Sequence, residues 1–328
     1  MPRRKVLVTG QNGFTGRYVT QALSEAGWEV WGLNNRVSAE PNPTDHVADL
    51  TDTAAVEAAI ATIRPDAVVH LAGVAFVAHS SANDFYRVNL MGTRNLLDAL
   101  AKANCGAQGV ILASTANVYG NTHISPIPEG TTPAPTNDYA VSKLAMEHMA
   151  GLFADTLPIV ITRPFNYTGV GQEQKFIVTK IVSHFRTRAA RLELGNLDVA
   201  RDFSDVRDVA QVYSALLDSD AAHGQTVNIC SGHAISLQAI IDMCRNLTGH
   251  TLDIVVNPAF VRAGEIKTLK GDPSRLHALV PTLARHEFEN TLSWMAIATR
   301  GFAFSHACSV RVWYYWPQRE CSRIRGPL

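Results

Sequence analysis

The chain has 328 residues, and its 29 Lys and Arg side chains are balanced by 29 Asp and Glu. Apolar residues make up 46% and charged residues 18% of the sequence, which is the balance of a folded globular protein and excludes a disordered or fibrous chain. Because the net charge is zero, whole-chain electrostatics favour neither nucleic acid nor an anionic membrane as a partner. Any anionic ligand must be held by a local site.

The cysteines and the N-terminus predict a cytoplasmic protein. An odd, dispersed set of cysteines without metal-ligand spacing predicts reduced thiols and no metal site. The basic segment Met1–Lys5 is followed by only Val6-Leu7-Val8 before Thr9-Gly10, which is too short for a signal peptide. No apolar run reaches the length of a membrane span. The five cysteines are Cys105, Cys230, Cys244, Cys308 and Cys321.

Short β-branched runs alternate with helical stretches from residue 5 to about 160. Strands are predicted at Val6–Val8, from Glu29, at Ala67–Leu71 and at Val110–Ala113, and helices at Thr15–Ala26, Thr51–Ile63 and Asp84–Ala103. Continuously apolar strands in such an alternation predict an α/β protein with a parallel sheet covered by helices on both faces.

A glycine-rich loop joins the first predicted strand to the first helix, with the sequence Thr9-Gly10-Gln11-Asn12-Gly13-Phe14-Thr15-Gly16. Gly10 permits the tight turn, Gly13 lets the backbone approach a pyrophosphate, and Gly16 allows close packing of the helix. Because the helix N-terminus then faces the anion, the loop predicts a dinucleotide site and a doubly wound Rossmann-type sheet.

The end of the second strand bears on the type of dinucleotide. An NAD site usually has an acid there, whereas an arginine accommodates the 2′-phosphate of NADP. In this chain the end of the second strand has Asn34 and Arg36 and no acid, which favours NADP as the cofactor. NAD stays an alternative, because Arg36 fits a solvated loop residue equally well. Asp49 is a candidate contact to the adenine end, or alternatively a helix N-cap.

The segment Tyr139-Ala140-Val141-Ser142-Lys143 predicts acid–base chemistry. Residues four apart share one face of a helix, so the phenol and the ammonium lie side by side. Lowering a tyrosine pKa from about 10 by two to three units requires ~3–4 kcal/mol, which an adjacent ammonium and a nicotinamide cation would supply. The hydroxyl-bearing segment Ser114–Gly120 leaves the strand Val110–Ala113 at its carboxyl end, where open α/β sheets bind ligands.

These motifs together resemble the extended short-chain dehydrogenases/reductases of the NDP-sugar epimerase/dehydratase family over residues 5 to about 295. The other segments that carry the resemblance are His70–Gly73, Val88–Thr93 and Arg163–Asn166. The resemblance implies that Thr115 polarises the sugar oxygen, that Tyr139 is the general acid/base, and that Lys143 holds the nicotinamide ribose and lowers the tyrosine pKa. Ser114 is then structural. Further cofactor contacts implied are Leu50, Leu71, Ala72, Gly73, Asn89 and Pro164.

The resemblance also implies the domain organisation. We expect a dinucleotide-binding domain over residues 1–165, a smaller substrate-binding lobe over 166–298 that is interleaved with the sheet, and an atypical tail over 299–328. A homodimer through the helices that carry Asn89 and Tyr139 is the usual arrangement of the family.

The residues after Thr115 narrow the sugar chemistry. Similar dehydratases carry an acid just after the catalytic threonine, whereas this chain has Ala116-Asn117. Asparagine cannot act as a base, so 4,6-dehydration is disfavoured and either hydride transfer or 4-epimerisation is left.

Two downstream segments, Phe176–Ile181 and Leu194–Phe203, resemble the GDP-mannose branch of the family. We therefore expect NAD(P)H-dependent reduction of the 4-keto group of a nucleotide-activated 6-deoxyhexose, GDP-4-keto-6-deoxy-D-mannose in particular. The alternatives are an NDP-sugar 4-epimerase with tightly held NAD and a non-catalytic cofactor sensor. In this branch the nucleotide diphosphate would be held by Asn166, Lys180, Arg201, Arg262 and Glu265.

Overall fold

A computed structural model describes residues 3–38, 42–75, 81–260 and 267–298. Its strands are β1 Lys5–Thr9, β2 Glu29–Asn34, β3 Asp45–Val47, β4 Ala67–His70, β5 Val110–Ala113, β6 Ile159–Pro164, β7 Asn166–Thr168, β8 Arg191–Leu194, β9 Ala200–Asp205, β10 Thr226–Ile229, β11 Ala234–Ser236, β12 Asp253–Val256 and β13 Thr268–Leu269. Its α-helices are α1 Phe14–Glu25, α2 Thr53–Ile63, α3 Ala82–Asp84, α4 Thr93–Ala103, α5 Asp138–Ala150, α6 Ile177–Arg186, α7 Val206–Leu217, α8 Leu237–Thr248, α9 Ser274–Leu279 and α10 Phe288–Ile297.

The main sheet has seven parallel strands in the described residues, in the order β10-β6-β5-β4-β1-β2-β3. The predicted doubly wound α/β sheet is confirmed. The central strands are apolar and fully buried, as in Leu7 of β1, Val68 of β4 and Ile111 of β5, because helices cover both faces. The chain winds outward from β1 to β3 and then returns to β4 on the other side of β1, which opens a crevice at the carboxyl ends of β1 and β4.

The helix ends follow from their sequence. Asp52 caps α2 by accepting a hydrogen bond from the N–H of Ala55 at 3.1 Å. The same helix ends at Arg64, whose φ of 47° is left-handed and which precedes Pro65. Asn137 caps α5 through the N–H of Ala140 at 2.9 Å, and this cap fixes where the helix of the predicted catalytic pair begins.

One predicted α-helix is interrupted in the structure by a π-helical segment. The sequence predicts a single α-helix from Asp84 to Ala103, whereas the structure has α3, then a π-helical segment Phe85–Gly92, then α4. Apolar spacing cannot distinguish the two, because a π-helical segment inside a helix retains its buried side. π-Helical turns are frequent at functional sites, and this one carries Asn89.

The C-terminal lobe has its own apolar cluster, formed mainly by α6, α8 and α10 with β8 and β9. Strand β10 returns to the main sheet beside β6 after this lobe has begun. The contacts group the described residues up to Ile297 as one compact unit, so the division at residue 165 stays a prediction. The tail 299–328 lies outside the described residues. None of the described helices is long and apolar enough to cross a membrane.

A Gly16→Ala substitution is expected to destabilise the sheet–helix junction. A Cβ at Gly16 would lie 2.2 Å from the carbonyl oxygen of Gly10 and 2.6 Å from that of Gln11, and backbone cannot move aside cheaply. We expect a loss of ~1–3 kcal/mol in the free energy of unfolding, measured by urea denaturation. Gly130→Ala is the control, because a Cβ there meets nothing within 4 Å, and its effect should stay within ~0.5 kcal/mol. Equal stability of the two variants would contradict this packing argument.

Candidate active site

The two walls of the crevice touch at the ends of β1 and β4. Thr9 and His70 are register partners in these parallel strands. Gly10 has a φ of +71°, and a Cβ there would lie 2.9 Å from the backbone nitrogen of Ala72. Glycine is therefore required on both counts, because the left-handed conformation and the close approach each exclude a side chain. The Gly10–Gly16 loop and the segment Leu71–Gly73 are placed face to face.

The start of α1 fits an anion. Gly13 is the N-cap of α1 and provides no side-chain hydrogen bond to it. In this described part of the chain, the first turn of α1 contains no acidic residue. The first N–H groups of a helix have no partner inside the helix, and the helix dipole places positive charge there. Because the glycine loop also keeps side chains away, this N-terminus suits the pyrophosphate of a dinucleotide.

The end of β2 lies next to this loop. Asn34 is buried, and its side-chain oxygen accepts a hydrogen bond from the N–H of Asn12 at 3.2 Å. Arg36 follows two residues later and is exposed. Arg36, the residue predicted to bind a 2′-phosphate, thus lies at the surface just after Asn34, whose hydrogen bond connects β2 to the glycine loop.

The adenine-end candidates follow β3. Asp49 is exposed and accepts hydrogen bonds from the N–H and the hydroxyl of Thr51, at 2.9 and 2.8 Å, and these bonds lower the pKa of its carboxyl. The alternative that Asp49 is a helix N-cap is wrong, because Asp52 occupies that position of α2. Leu50 is buried and lies against Gly92, where a Cβ would come within 2.9 Å of the Leu50 Cβ.

The hydroxyl and the phenol of the predicted constellation meet. Thr115 follows β5 and begins the short 3₁₀ turn Ala116–Tyr119, where its hydroxyl accepts the N–H of Asn117 at 3.2 Å. Tyr139 lies in the first turn of α5 and is hydrogen-bonded to Thr115, although the two are 24 positions apart. Both side chains are buried.

Lys143 lies one turn after Tyr139 and is also buried. Its ammonium donates a hydrogen bond to the carbonyl oxygen of Ala113, the last residue of β5, at 2.7 Å. Burial lowers the pKa of Lys143 to about 8, and the negative charge of Glu147 opposes that shift. The ammonium is thus held at the carboxyl end of β5, close to Gly73, where a Cβ would be 3.5 Å from its nitrogen.

The expectation that Lys143 and a nicotinamide cation together lower the pKa of Tyr139 stays a prediction. Burial raises the pKa of Tyr139 to about 12, and the hydrogen bond with Thr115 is the contact that lowers it part of the way. Desolvation dominates because a phenolate loses its hydration in this position. The protonated phenol is therefore the favoured form of Tyr139.

A buried charge cluster that sequence reasoning missed supports this helix. Glu147 forms an ion pair with Arg163 of β6, through two hydrogen bonds of 3.0 and 2.5 Å, and it accepts the hydroxyl of Ser114 at 2.5 Å. A four-residue spacing relates Tyr139, Lys143 and Glu147 along the helix. This spacing is the sequence signal from which the buried position of Glu147 could have been predicted. Ser114 thereby fixes the position of Thr115 relative to α5.

Tyr167 is a second residue that the sequence analysis missed. It lies in β7, and its hydroxyl is 2.9 Å from that of Thr15, at the start of α1. Its ring stacks on Phe14 with centroids 6.2 Å apart and planes 9° apart. Strand β7 is thereby joined to the predicted phosphate-binding turn, a contact that no local pattern indicates because the residues are 152 positions apart.

The remaining candidates lie along β6 to β9. Pro164 ends β6 and is buried, whereas Asn166 opens β7 and is exposed, with its amide donating to the carbonyl of Asp202 at 3.2 Å. Asn166 pairs with Phe203 of β9, two residues from Arg201. The ammonium of Lys180 donates to the carbonyl of Glu193 at 2.7 Å, which ties α6 to β8.

Arg201 donates to the carbonyl of Ala200 at 2.9 Å. The other two predicted phosphate-binding residues, Arg262 and Glu265, lie outside the described residues. The structure thus places Asn166 and Arg201 on neighbouring strands, and Lys180 on the helix that follows β7.

This architecture matches a known family. The model of the NAD dependent epimerase/dehydratase family matches residues 6–230, which include the glycine loop, Thr115, Tyr139 and Lys143. The chain belongs to the NAD dependent epimerase/dehydratase family. The proteins named below include a dehydrogenase and a reductase whose names give GDP-6-deoxyhexoses.

Two curated family members are similar over most of their length. GDP-6-deoxy-D-talose 4-dehydrogenase of Aggregatibacter actinomycetemcomitans is 36% identical over 273 residues, which is 83% of this chain and 90% of that protein. GDP-6-deoxy-D-mannose reductase of Pseudomonas aeruginosa is 34% identical over 285 residues, which is 84% of this chain and 90% of that protein.

Two solved structures of the family share the fold. A Burkholderia cenocepacia J2315 protein, presented as a candidate epimerase, has a TM-score of 0.84 and 46% identity, covering 90% of this chain and 97% of that one. RMD from Pseudomonas aeruginosa, complexed with NADPH, has a TM-score of 0.79 and 31% identity, covering 89% of this chain and 97% of that one.

A Glu147→Gln substitution is expected to destabilise the fold strongly. It leaves the buried guanidinium of Arg163 without its counter-charge, so we expect a loss of ~3–5 kcal/mol in chemical denaturation. Glu57→Gln is the matched control, because Glu57 pairs with Lys102 at the surface, where such a pair contributes at most ~1 kcal/mol. Similar losses for the two variants would show that the buried cluster has no special weight.

Proposed function

We propose that this chain reduces the 4-keto group of a nucleotide-activated 6-deoxyhexose, GDP-4-keto-6-deoxy-D-mannose, with NAD(P)H as the hydride donor. The single observation that carries this proposal is that Tyr139 lies beside Thr115 and that Lys143 is held one helical turn further on, at the carboxyl end of β5. Ala116 and Asn117 follow Thr115 where similar dehydratases have an acid. Reduction needs only the first three side chains and the cofactor. Both curated relatives bear names that give a GDP-6-deoxyhexose, and one of them is a reductase.

The mechanism follows from the protonation states of the site. A reduced nicotinamide cofactor, held by the Gly10–Gly16 loop and Lys143, would supply the hydride for the carbonyl carbon. Thr115 hydrogen-bonds the carbonyl oxygen, and Tyr139 donates its proton to that oxygen as negative charge develops there. Because burial keeps Tyr139 protonated, the phenol is in the correct form to act as the acid. The ammonium of Lys143 stabilises the phenolate that is left behind.

Dehydration lacks its base in this proposal. Removal of the proton beside a keto group requires a side chain that accepts a proton, and the segment Ala116–Gly120 contains no carboxylate. Asn117 is exposed and its amide cannot accept that proton. Because Ala116 and Asn117 stand where similar dehydratases have an acid, reduction of the keto group is favoured over 4,6-dehydration.

The stereochemistry of the product follows from which face of the keto group receives the hydride. 6-Deoxy-D-talose and 6-deoxy-D-mannose, the sugars in the names of the two relatives, differ only in configuration at C4. The H3–H4 proton coupling in an NMR spectrum of the product distinguishes them, because it is large for the manno and small for the talo configuration.

A second candidate function is 4-epimerisation of an NDP-sugar with retained NAD, favoured by the 46% identity to the candidate epimerase. The two are separated by incubating purified protein with a panel of NDP-4-keto sugars and, separately, with the corresponding NDP-hexoses, while the absorbance of reduced nicotinamide and the sugar products are followed. We expect one NAD(P)H consumed for each alcohol formed. Conversion of an NDP-hexose into its 4-epimer without net consumption would overturn the reductase in favour of the epimerase.

The organisation around the site is inferred from the same resemblance. The glycine-loop domain binds the dinucleotide, the C-terminal lobe binds the nucleotide sugar, and the protein is a cytoplasmic homodimer. The helical segments that carry Asn89 and Tyr139 expose apolar side chains, with Met91 at 49% and Val141 at 37% exposure, which supports them as the dimer surface.

Tyr139→Phe is expected to reduce turnover by ~10²–10⁴-fold, because the ring remains while the proton donor is lost. Binding of the dinucleotide, measured by fluorescence of reduced nicotinamide, should remain. Tyr213→Phe is the control, since this phenol is equally buried but bonds the hydroxyl of Thr162 at 3.0 Å behind the site. Undiminished turnover in Tyr139→Phe would remove Tyr139 as the acid.

Arg36→Ala is expected to raise the KM for NADPH ~10–100-fold and to leave the KM for NADH unchanged, because a charge-assisted bond to the 2′-phosphate is lost. Initial rates with both cofactors measure it. Arg94→Ala, at an exposed pair with Asp98 on α4, is the control. Equal KM values for the two cofactors in the parent protein and in Arg36→Ala would contradict the preference for NADP.

A further inference from the structure

His70 is fully buried at the end of β4, between two threonine hydroxyls. Its Nδ1 is 2.7 Å from the hydroxyl of Thr9, the last residue of β1, and its Nε2 is 2.8 Å from the hydroxyl of Thr93, at the start of α4. The imidazole therefore bridges the strand that leads into the glycine loop and the helix that follows the π-helical segment.

The partners of the two hydroxyls determine where the imidazole proton lies. Thr93 donates its own proton to the carbonyl oxygen of Asn89 at 2.7 Å, so its oxygen can only accept from His70, and Nε2 must carry a proton. The hydroxyl of Thr9 accepts the N–H of Ala72 at 3.1 Å and is left to donate to Nδ1. The bond to Thr93 thus has one direction, and in a neutral imidazole with its proton on Nε2 the Nδ1 atom accepts from Thr9.

Burial supports the neutral form. It lowers the pKa of His70 to about 3, and the positive charge of Lys143 acts in the same direction. Protonation would give the imidazole a second N–H, on Nδ1. The hydroxyl of Thr9, which already accepts from Ala72, would then have to turn from donor to acceptor toward His70.

The connection continues from Thr93 through Asn89 to the helix of the catalytic pair. The side-chain oxygen of Asn89 accepts the N–H of Val74 at 2.8 Å, and its amide donates to the carbonyl of Val74 and to the hydroxyl of Ser142, each at 3.1 Å. Ser142 in turn donates to the carbonyl oxygen of Tyr139 at 2.8 Å. Thr9 thus holds one end of the crevice wall 71–74 and Asn89 holds the other. His70 connects these two groups through its bonds to Thr9 and Thr93.

We propose that His70 is a positioning residue, which as a neutral imidazole fixes the wall Leu71–Val74 against the glycine loop on one side and against helix α5 on the other. This inference rests on the proposed function in so far as the crevice binds a dinucleotide. The imidazole touches no reacting atom; it acts through Thr9, Thr93 and Asn89. Loss of one of its bonds leaves a buried hydroxyl or N–H without a partner, which shifts the backbone that faces the ligand.

The test compares identical substitutions at two buried threonines. Thr93→Val removes the acceptor of the His70 proton, whereas Thr162→Val removes a fully buried hydroxyl bonded to Tyr213. We expect Thr93→Val to raise the Kd of NADPH at least about fivefold and to lower kcat, with Thr162→Val changing only the melting temperature. An unchanged Kd and kcat in Thr93→Val would overturn the proposal.

Substitutions of His70 itself provide a graded series. His70→Gln retains an amide N–H that can reach Thr93, whereas His70→Leu retains no polar group, so the Kd of His70→Gln should lie between that of the parent and that of His70→Leu. If Gln and Leu have equal effects, the imidazole contributes by its volume and not by its hydrogen bonds.

Nitrogen-15 NMR of the unmodified protein decides the tautomer even where a variant fails to fold. We expect His70 to show a proton on Nε2 and to stay neutral from pH 5 to pH 8, as its lowered pKa requires. A proton on Nδ1, or an imidazolium at pH 6, would contradict the proposal. If the parent binds no nicotinamide dinucleotide, the proposed function fails while the NMR result still decides the state of His70.

Discussion

A lysine ammonium buried at the carboxyl end of β5 is the constraint on which the site depends. Lys143 loses its hydration there, which lowers its pKa to about 8, and it is held by the carbonyl of Ala113 and by the field of Glu147. Glu147 is buried in turn and needs the guanidinium of Arg163 and the hydroxyl of Ser114. Buried charges are tolerated only in such satisfied groups. One ammonium at the reaction centre therefore accounts for a polar cluster that spans β5, α5 and β6.

The same desolvation defines what Tyr139 can do. With its pKa raised to about 12, ionising this phenol at pH 7 would take about 7 kcal/mol, against about 4 kcal/mol for a tyrosine with its ordinary pKa. The phenol is thereby stabilised as a proton donor, as reduction of a keto group requires. In the proposed reaction, a bound nicotinamide cation would add its positive charge to that of the Lys143 ammonium, and both would attract a phenolate in a site where water screens little.

The sequence allowed the sheet, and the placement of Tyr139 and Lys143 one turn apart on a helix, to be predicted, because both depend on short-range patterns. The apolar runs of β1, β4 and β5 and the four-residue spacing of Tyr139 and Lys143 are local. Strand β3 was not predicted, since three residues at a sheet edge carry no pattern, and the π-helical form of Phe85–Gly92 was hidden in an ordinary helical spacing. The partners of Glu147, Tyr167 and His70 lie 16 to 152 positions away and follow only from the strand order.

Tyr139 is expected to have a lowered pKa only when the ammonium of Lys143 and a nicotinamide cation both lie beside it. The most direct measurement is the ultraviolet difference absorbance of tyrosinate at pH 7.5, below the lowered pKa of Lys143, recorded on addition of NADP⁺ to the parent protein, to Tyr139→Phe and to Lys143→Met. We predict that the tyrosinate signal appears in the parent protein and is absent from both variants. A signal of equal size in Tyr139→Phe, or no signal in a parent protein that binds NADP⁺, would contradict the claim.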